Sequence, residues 1–429
     1  MRHPLSSSCP RPRRRIRLAA AAATAAAVTG LLATAPAATG SPQTRQAAPG
    51  PGAVVSLGDS YISGEAGRWA GNSDANPVNF RRIDALGPTA YFDNAGRTAE
   101  RVPKCHRSRS AEIHLGLPRT ESENLACSGA RTDSFLAPKG VAKPGLDFSD
   151  AAGVPGQARQ LEEYARDHAV RMVAVSVGGN DFRFSDVVTS CVLAYLSPLP
   201  KACSQDPANR ARFTEQAVEK RAGDIAGGLR NIRQAMLRAG HESDEYDVIV
   251  QNYPAPIPHG RDFRYPAPLG ARQTLGGCAF NDRDADWAVD SVLPTVGRAV
   301  ERGIGKSGLD NVRFLDLTHS FDGHRLCERG AGLVDPVRGT VNRWTDPGAA
   351  DRTEWISWVR TVTAVLPPFQ VQEALHPNHW GQLALRNCLR QAYISAGGSA
   401  APTAPKRRLT CTGGGPGLNG RGEPQMKLS

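Results

Sequence analysis

Four short apolar runs recur along the chain, and each one ends abruptly at glycine, asparagine, proline or a polar turn. They lie at 53–57, 171–177, 246–251 and 312–317. None shows the strict alternation of apolar and polar residues that is typical of a strand with one face in solvent. A continuous run of Val, Ile and Leu instead indicates a strand that is buried on both faces. We therefore predict four parallel strands in the interior of the protein.

Amphipathic stretches separate these runs. Apolar residues recur at near-helical spacing in 212–238, and similar patterns occupy 156–168, 286–303 and 380–393. Strands and helices thus alternate, which predicts an α/β protein with a parallel sheet wrapped by helices and right-handed crossovers. The long segments left over are predicted to be irregular loop insertions, and they cover 65–112, 182–211, 254–281 and 322–372.

The first 38 residues have the pattern of an export signal. Six arginines lie within the first 17 residues, an alanine-rich stretch follows to residue 35, and the small residues Pro36-Ala37-Ala38 come next. We predict a cleaved signal peptide over 1–38 and a secreted, extracellular protein. A membrane anchor is the alternative because the apolar stretch is just long enough to span a bilayer, although alanine is a weak hydrophobe.

Composition divides the rest of the chain into three parts. Residues 39–52 are predicted to be a flexible lead-in, 53–396 one folded domain, and 397–429 a Gly/Pro-rich basic tail. Most of the formal net charge of +11 belongs to the signal and the tail. The basic charge therefore does not indicate a nucleic-acid partner, and we expect none. We also expect the protein to be a monomer.

The cysteines agree with export. Eight of the nine follow the signal, and an even number in an oxidising compartment predicts up to four disulfides. Eight cysteines allow 105 connectivities, of which pairing in sequential order is the simplest. No Cys-x-x-Cys motif or pair of histidines at ligand spacing occurs, so we predict no metal site and no cofactor. The eight residues are Cys105, Cys127, Cys191, Cys203, Cys278, Cys327, Cys388 and Cys411.

Reactive residue types follow the predicted strands. Ser60 comes directly after the first strand, and Asn180 follows the second within the turn 178–181. In an open parallel sheet, sites form at the carboxyl ends of the strands. Ser60 is a candidate nucleophile, and His376, which follows the last strand, is a candidate base that would activate it. The N–H of Gly129 and the amide of Asn180 are candidate donors to an oxyanion.

These segments resemble the conserved blocks of the GDSL/SGNH hydrolase family, in its secreted actinobacterial lipase and esterase branch. Residues 55–65 resemble the first block, and Gly129, 178–181 and His376 match the second, third and fifth. The resemblance implies a three-layer α/β/α sandwich of flavodoxin-like type and a serine ester hydrolase. It also implies an oxyanion hole that consists of the N–H groups of Ser60 and Gly129 and the side chain of Asn180.

The sequence departs from the family pattern at one position. The family places Asp three residues before the histidine, where this chain has Glu373. Glu373 is one candidate to orient His376, and the backbone carbonyl of Ala374 is the other. The expected substrate is an acyl ester of a lipid or a similar compound. Alternatives are an O-acetyl group on a polysaccharide and, outside catalysis, a secreted binding protein on the same scaffold.

Overall fold

The computed structural model of the chain describes residues 51–73, 77–198, 201–360, 368–396 and 408–429. The predicted signal peptide and nearly all of the predicted lead-in lie outside these described residues. The four predicted strands and the four predicted helices all lie within them. Seven of the eight form within a few residues of the expected positions, and the helix predicted at 286–303 forms at Leu293–Ser307, directly after two shorter helical segments.

Within the described residues, seven strands form the central sheet in the order β2-β1-β3-β4-β5-β6-β7. All neighbours are parallel except β6 and β7, which form an antiparallel pair at one edge. The first five strands thus follow the flavodoxin-like order 2-1-3-4-5. The bounds are β1 Gly52–Gly58, β2 Thr120–Asn124, β3 Ala169–Ser176, β4 Asp247–Gln251, β5 Val312–Asp316, β6 Arg408–Leu418 and β7 Pro424–Leu428.

Six helices cover the sheet or lie at the carboxyl ends of its strands. They are α1 Ser60–Ser63, α2 Gln157–Ala165, α3 Phe184–Leu196, α4 Glu215–Arg238, α5 Leu293–Ser307 and α6 His379–Ser395. Shorter α-helical turns occur at Pro77–Phe80, Pro207–Ala211, Ala271–Gly276, Asp282–Trp287 and Ala349–Arg352. Two small hairpins pair Phe135–Ala137 with Val141–Lys143 and Asp150–Ala151 with Val154–Pro155.

Each face of the sheet carries its own hydrophobic core. Val55 and Val173 pack with the apolar sides of α2, α4 and α5 on one face, whereas Val54 and Met172 pack with α6 and the insertions on the other. Neighbouring residues of a strand point to opposite faces, so burial of both faces requires an uninterrupted apolar run. The three-layer α/β/α sandwich is therefore confirmed.

Part of the predicted Gly/Pro-rich basic tail belongs to the central sheet, whereas residues 397–407 of that tail lie outside the described residues. Residues 408–429 form β6 and β7 and extend the sheet beyond β5, with Arg408 paired to Phe314 and Thr410 to Asp316. Leu409 and Cys411 are buried at alternate positions of β6. Gly413, Gly414, Gly415 and Gly417 lie farther along the same strand, which is stabilised by pairing with β5 rather than by local sequence preference.

The insertion at 182–211 is likewise less irregular than predicted, because it contains α3. The disulfides of the structure follow the sequential order: Cys105–Cys127, Cys191–Cys203, Cys278–Cys327 and Cys388–Cys411. The second joins α3 to the segment after it, and the fourth joins α6 to β6. In the part of the chain that the structure describes, no helix has both the length and the apolar character needed to cross a membrane.

Candidate active site

The turn after β1 presents Ser60 at the carboxyl edge of the sheet. Gly58 has a φ of +122°, and a Cβ there would lie 1.8 Å from the carbonyl oxygen of Ser176, so only glycine fits. Asp59 then caps the one-turn helix α1 by accepting the N–H of Tyr61 at 3.1 Å. Ser60 is the first residue of α1, where the backbone N–H groups have no partner within the helix.

His376 contacts Ser60 directly. Its Nε2 lies 2.6 Å from the Ser60 Oγ, and its Nδ1 lies 2.9 Å from the carbonyl oxygen of Ala374. A ring nitrogen that faces a carbonyl must carry the proton, so Nε2 is left as the acceptor of the serine hydroxyl. Burial lowers the pKa of His376, while the Glu65 carboxylate acts in the opposite direction. The imidazole is therefore neutral near pH 7, as a general base must be.

A strained turn holds His376 in this orientation. Leu375 has a φ of +59°, in the left-handed region that costs a non-glycine residue about 1–3 kcal/mol. Its N–H donates to the carbonyl of Ser357 at 3.0 Å, and the Ser357 N–H donates to the carbonyl of His376 at 2.9 Å. The Tyr61 hydroxyl donates to the Leu375 carbonyl at 2.7 Å. Sequence reasoning missed Tyr61 and Ser357, because nothing local to them indicates contact with a turn so distant in the chain.

Glu373 faces away from the histidine. Its carboxylate accepts the Nε1–H of Trp69 at 3.0 Å, the hydroxyl of Tyr91 at 2.6 Å and the N–H of Gln370 at 3.0 Å. Burial raises the pKa of this carboxyl group. Of the two candidates from the sequence, Ala374 is the one whose oxygen lies on the His376 Nδ1, and Glu373 instead anchors the segment just before it.

Three hydrogen-bond donors surround the position beside Ser60. Gly129 has a φ of +79° and lies two residues after Cys127. The Cys127 N–H donates to the Gly58 carbonyl at 3.0 Å and so joins this segment to the Ser60 turn. The Asn180 Nδ2 donates one hydrogen to the carbonyl of Ala130 at 2.9 Å, which fixes the amide and leaves its second N–H free to bind an anion. Among the described residues, no acceptor takes the N–H of Ser60 or of Gly129.

A groove of about 510 Å³ is lined by Ser60, Gly129, Asn180 and His376. One wall is α3, which contributes mostly apolar side chains; Leu193 and Leu196 of this helix are 63% and 48% exposed at the rim. The apolar residues that line the groove are Phe184, Val188, Val192, Leu193, Leu196, Leu293, Val296, Val359, Val371 and Leu375. The arrangement combines a serine–histidine pair and oxyanion donors with room for an apolar group.

A buried ion pair lies behind the histidine. The Glu65 Oε1 is 2.7 Å from the His106 Nδ1, and both side chains are almost completely buried. Although burial acts to raise it, the ion pair with His106 lowers the pKa of Glu65 to about 2. The Glu65 N–H also donates to the carbonyl of Ser60 at 3.2 Å, so this carboxylate belongs to the same turn as the candidate nucleophile.

One group of side chains away from Ser60 has the spacing of metal ligands. In the described ranges, the group with suitable spacing is Cys191, Cys203 and Asp284. The two cysteines form a disulfide, and the Asp284 carboxylate accepts the N–H groups of Cys203 and Ser204. The donors are therefore already used, and this group does not fit a metal ion.

Comparison with known proteins finds distant lipases. The chain matches no known protein-family profile. It is 25% identical over 296 residues to a lipase from Streptomyces rimosus, and this alignment covers 69% of this chain and 80% of that protein. It is 29% identical over 300 residues to Lipase 1 from Streptomyces coelicolor, and this alignment covers 69% of this chain and 81% of that protein.

Solved structures give likenesses of the same kind. An extracellular lipase from Streptomyces rimosus aligns with a TM-score of 0.42 at 20% identity, over 80% of this chain and 99% of the lipase. Phospholipase A1 from Streptomyces albidoflavus aligns with a TM-score of 0.40 at 18% identity, over 80% of this chain and 99% of that enzyme. The curated relatives are both lipases, and they support the assignment of this chain as a carboxylic ester hydrolase.

Proposed function

We propose that this chain is a secreted serine carboxylic ester hydrolase in which Ser60 is the nucleophile and His376 the general base. The observation that carries the proposal is the 2.6 Å contact between the Ser60 Oγ and the His376 Nε2 in an apolar groove. A neutral, partly buried imidazole in contact with a serine hydroxyl is the arrangement that makes a weak nucleophile reactive.

The reaction follows from the positions of the groups. His376 accepts the hydroxyl proton at Nε2 while the Ser60 Oγ attacks the ester carbonyl, and the N–H groups of Ser60, Gly129 and Asn180 stabilise the oxyanion. His376 then returns the proton to the leaving alcohol, and an acyl-enzyme remains. Water gives a proton to the same imidazole and attacks the acyl-enzyme; the bond to the Ser60 Oγ then breaks, the carboxylic acid leaves, and the imidazolium returns the proton to the Ser60 Oγ. The Ala374 carbonyl keeps the proton of the neutral histidine on Nδ1 throughout.

The groove favours an acyl chain over a sugar as the group bound beside Ser60. Its walls are mostly aliphatic side chains, and two of them, Leu193 and Leu196, extend the apolar surface to the rim. Burial of each methylene group of an acyl chain contributes about 0.8 kcal/mol. We therefore infer a lipid or other medium- to long-chain acyl ester as the substrate class.

Secretion is part of the same proposal. The amino-terminal pattern of arginines, alanines and small residues is that of an export signal. Four disulfides in the described residues are typical of a protein that folds in an oxidising compartment.

The decisive experiment measures hydrolysis of p-nitrophenyl esters of increasing acyl length, with acetylated xylan and a phospholipid as additional substrates. Ser60→Ala should lower turnover by about a million-fold, because removal of the nucleophile typically has that effect. Ser307→Ala is the matched control, since it removes a buried hydroxyl that donates within α5. Release of acetate from xylan without activity on acyl chains would favour the polysaccharide esterase, and no hydrolysis of any ester would favour the binding protein.

A further inference from the structure

Tyr253 lies between the two turns that hold the reactive groups. It follows β4 by two residues, is 8% exposed and lines the groove. Its ring packs edge-to-face on that of Tyr61, with a centroid distance of 5.1 Å. Neither its position in the sequence nor the mechanism above gives this side chain a role.

The hydroxyl of Tyr253 bonds to both turns at once. It donates to the Asp59 Oδ2 at 2.5 Å, and it accepts the N–H of Gly179 at 2.9 Å. Asp59 directly precedes Ser60, and Gly179 directly precedes Asn180. One oxygen atom therefore connects the turn after β1 to the turn after β3.

These two hydrogen bonds can fix the distance between the Asn180 turn and Ser60. The Asp59 carboxylate also accepts the N–H of Tyr61, so its position and that of α1 are linked. At the other end, a Cβ on Gly179 would lie 3.2 Å from the Tyr253 hydroxyl oxygen, which means that the two residues are in close contact. Displacement of the tyrosine oxygen would thus allow the Asn180 turn to move relative to Ser60.

We propose that Tyr253 is a positioning residue. Its hydrogen bonds to Gly179 and Asp59 hold the Asn180 amide at the correct distance from Ser60. This inference rests on the proposed function. Oxyanion donors act at 2.7–3.1 Å from the developing charge, and a misplacement of about 1 Å can lower the rate about a hundred-fold. The hydrogen bond from Asn180 to the oxyanion strengthens in the transition state. Loss of the correct distance should therefore lower kcat and leave KM nearly unchanged.

Tyr253→Phe removes only the bridging oxygen and keeps the ring. We expect a kcat ten- to a hundred-fold below wild type on a short-chain p-nitrophenyl ester, with KM within about two-fold. Tyr393→Phe is the matched control, because it removes another buried tyrosine hydroxyl, which bonds to Thr120 at the amino-terminal end of β2, away from the site. That control should retain kcat within about two-fold.

A double-mutant cycle separates positioning from general destabilisation. If Tyr253 acts through Asn180, Tyr253→Phe should lower kcat less than about three-fold in an Asn180→Ala background. An equal loss in both backgrounds, a rise in KM with unchanged kcat, or no effect of Tyr253→Phe would each overturn the proposal.

A crystal structure of Tyr253→Phe gives a test that does not depend on activity. The Asn180 amide should be displaced from its wild-type position relative to the Ser60 Oγ, and an unchanged position would overturn the proposal. A wild-type protein that hydrolyses no ester would refute the proposed function alone, because the structural comparison would still test the role of the bridge.

Discussion

Glu373→Gln tests which group orients His376, the proposed base. In a triad that uses a side-chain carboxylate, replacement by an amide lowers kcat about ten-thousand-fold, because the histidine is held in the wrong tautomer. Here the His376 Nδ1 bonds to the Ala374 carbonyl, which the substitution leaves in place. We therefore expect kcat to fall by less than about ten-fold, a change of about 1.4 kcal/mol or less in activation free energy.

The same substitution should nevertheless lower stability. Three donors, from Trp69, Tyr91 and Gln370, converge on the Glu373 carboxylate. An amide can accept with its oxygen only, so its NH₂ group would face a donor. A buried donor left unpaired costs about 1–3 kcal/mol, which corresponds to a fall in Tm of a few degrees in a domain of this kind.

The assay compares kcat on a p-nitrophenyl ester with the Tm of the same preparation. Glu112→Gln is the matched control: burial raises the pKa of Glu112 to about 8, so an amide closely resembles its neutral form. This control should keep both kcat and Tm. A loss of kcat of a thousand-fold or more in Glu373→Gln, with an unchanged Tm, would refute the reasoning and assign the orienting role to Glu373.

Four further predictions concern the same site and the ion pair behind it. Asn180→Ala should lower kcat by a hundred- to a thousand-fold, the usual effect of removing one oxyanion donor, with KM nearly unchanged in steady-state kinetics. The profile of kcat/KM against pH should fall on the acid side with a midpoint below 6.5, because His376 must be unprotonated and burial lowers its pKa; a midpoint above 7 would contradict this. Glu65→Gln should destabilise the protein by about 3–5 kcal/mol in denaturant unfolding, because His106 would lose its partner. Since the pKa of Glu65 is about 2 when folded, the stability from this group should persist down to about pH 4.5 and disappear as the pH falls toward 2.

The sheet was predictable where burial alone determines the sequence. β1, β3, β4 and β5 are covered on both faces, and this environment requires the apolar runs that identified them. The location of the reactive residues was predictable for a related reason. Parallel strands bring their carboxyl ends to one edge, so Ser60 and Asn180 meet there although 120 residues of sequence separate them.

Other elements form because of contacts that are distant in sequence. β2 reads Thr-Glu-Ser-Glu-Asn, without one apolar side chain, and is a strand because it pairs with β1 at the edge of the sheet. α3 contains several β-branched residues, which have a low helix propensity. This helix packs into one core and is joined by the Cys191–Cys203 disulfide to the segment after it. No local pattern encodes such contacts.

The sequence around His376 also contains a carboxylate at the expected spacing without the expected role. Spacing determines that Glu373 lies near the histidine, but Trp69 and Tyr91, about three hundred residues earlier, determine where its oxygens point. In the proposed mechanism, two groups therefore divide the tasks that one residue performs in a conventional triad. The Ala374 carbonyl fixes the tautomer, and the Glu65 carboxylate supplies negative charge near the imidazole. Burial of His376, helped by the positive charge of His106, outweighs this carboxylate, so the pKa of His376 falls instead of rising. A base of lowered pKa remains unprotonated at mildly acidic pH, so this division of tasks should extend the activity of the enzyme toward lower pH.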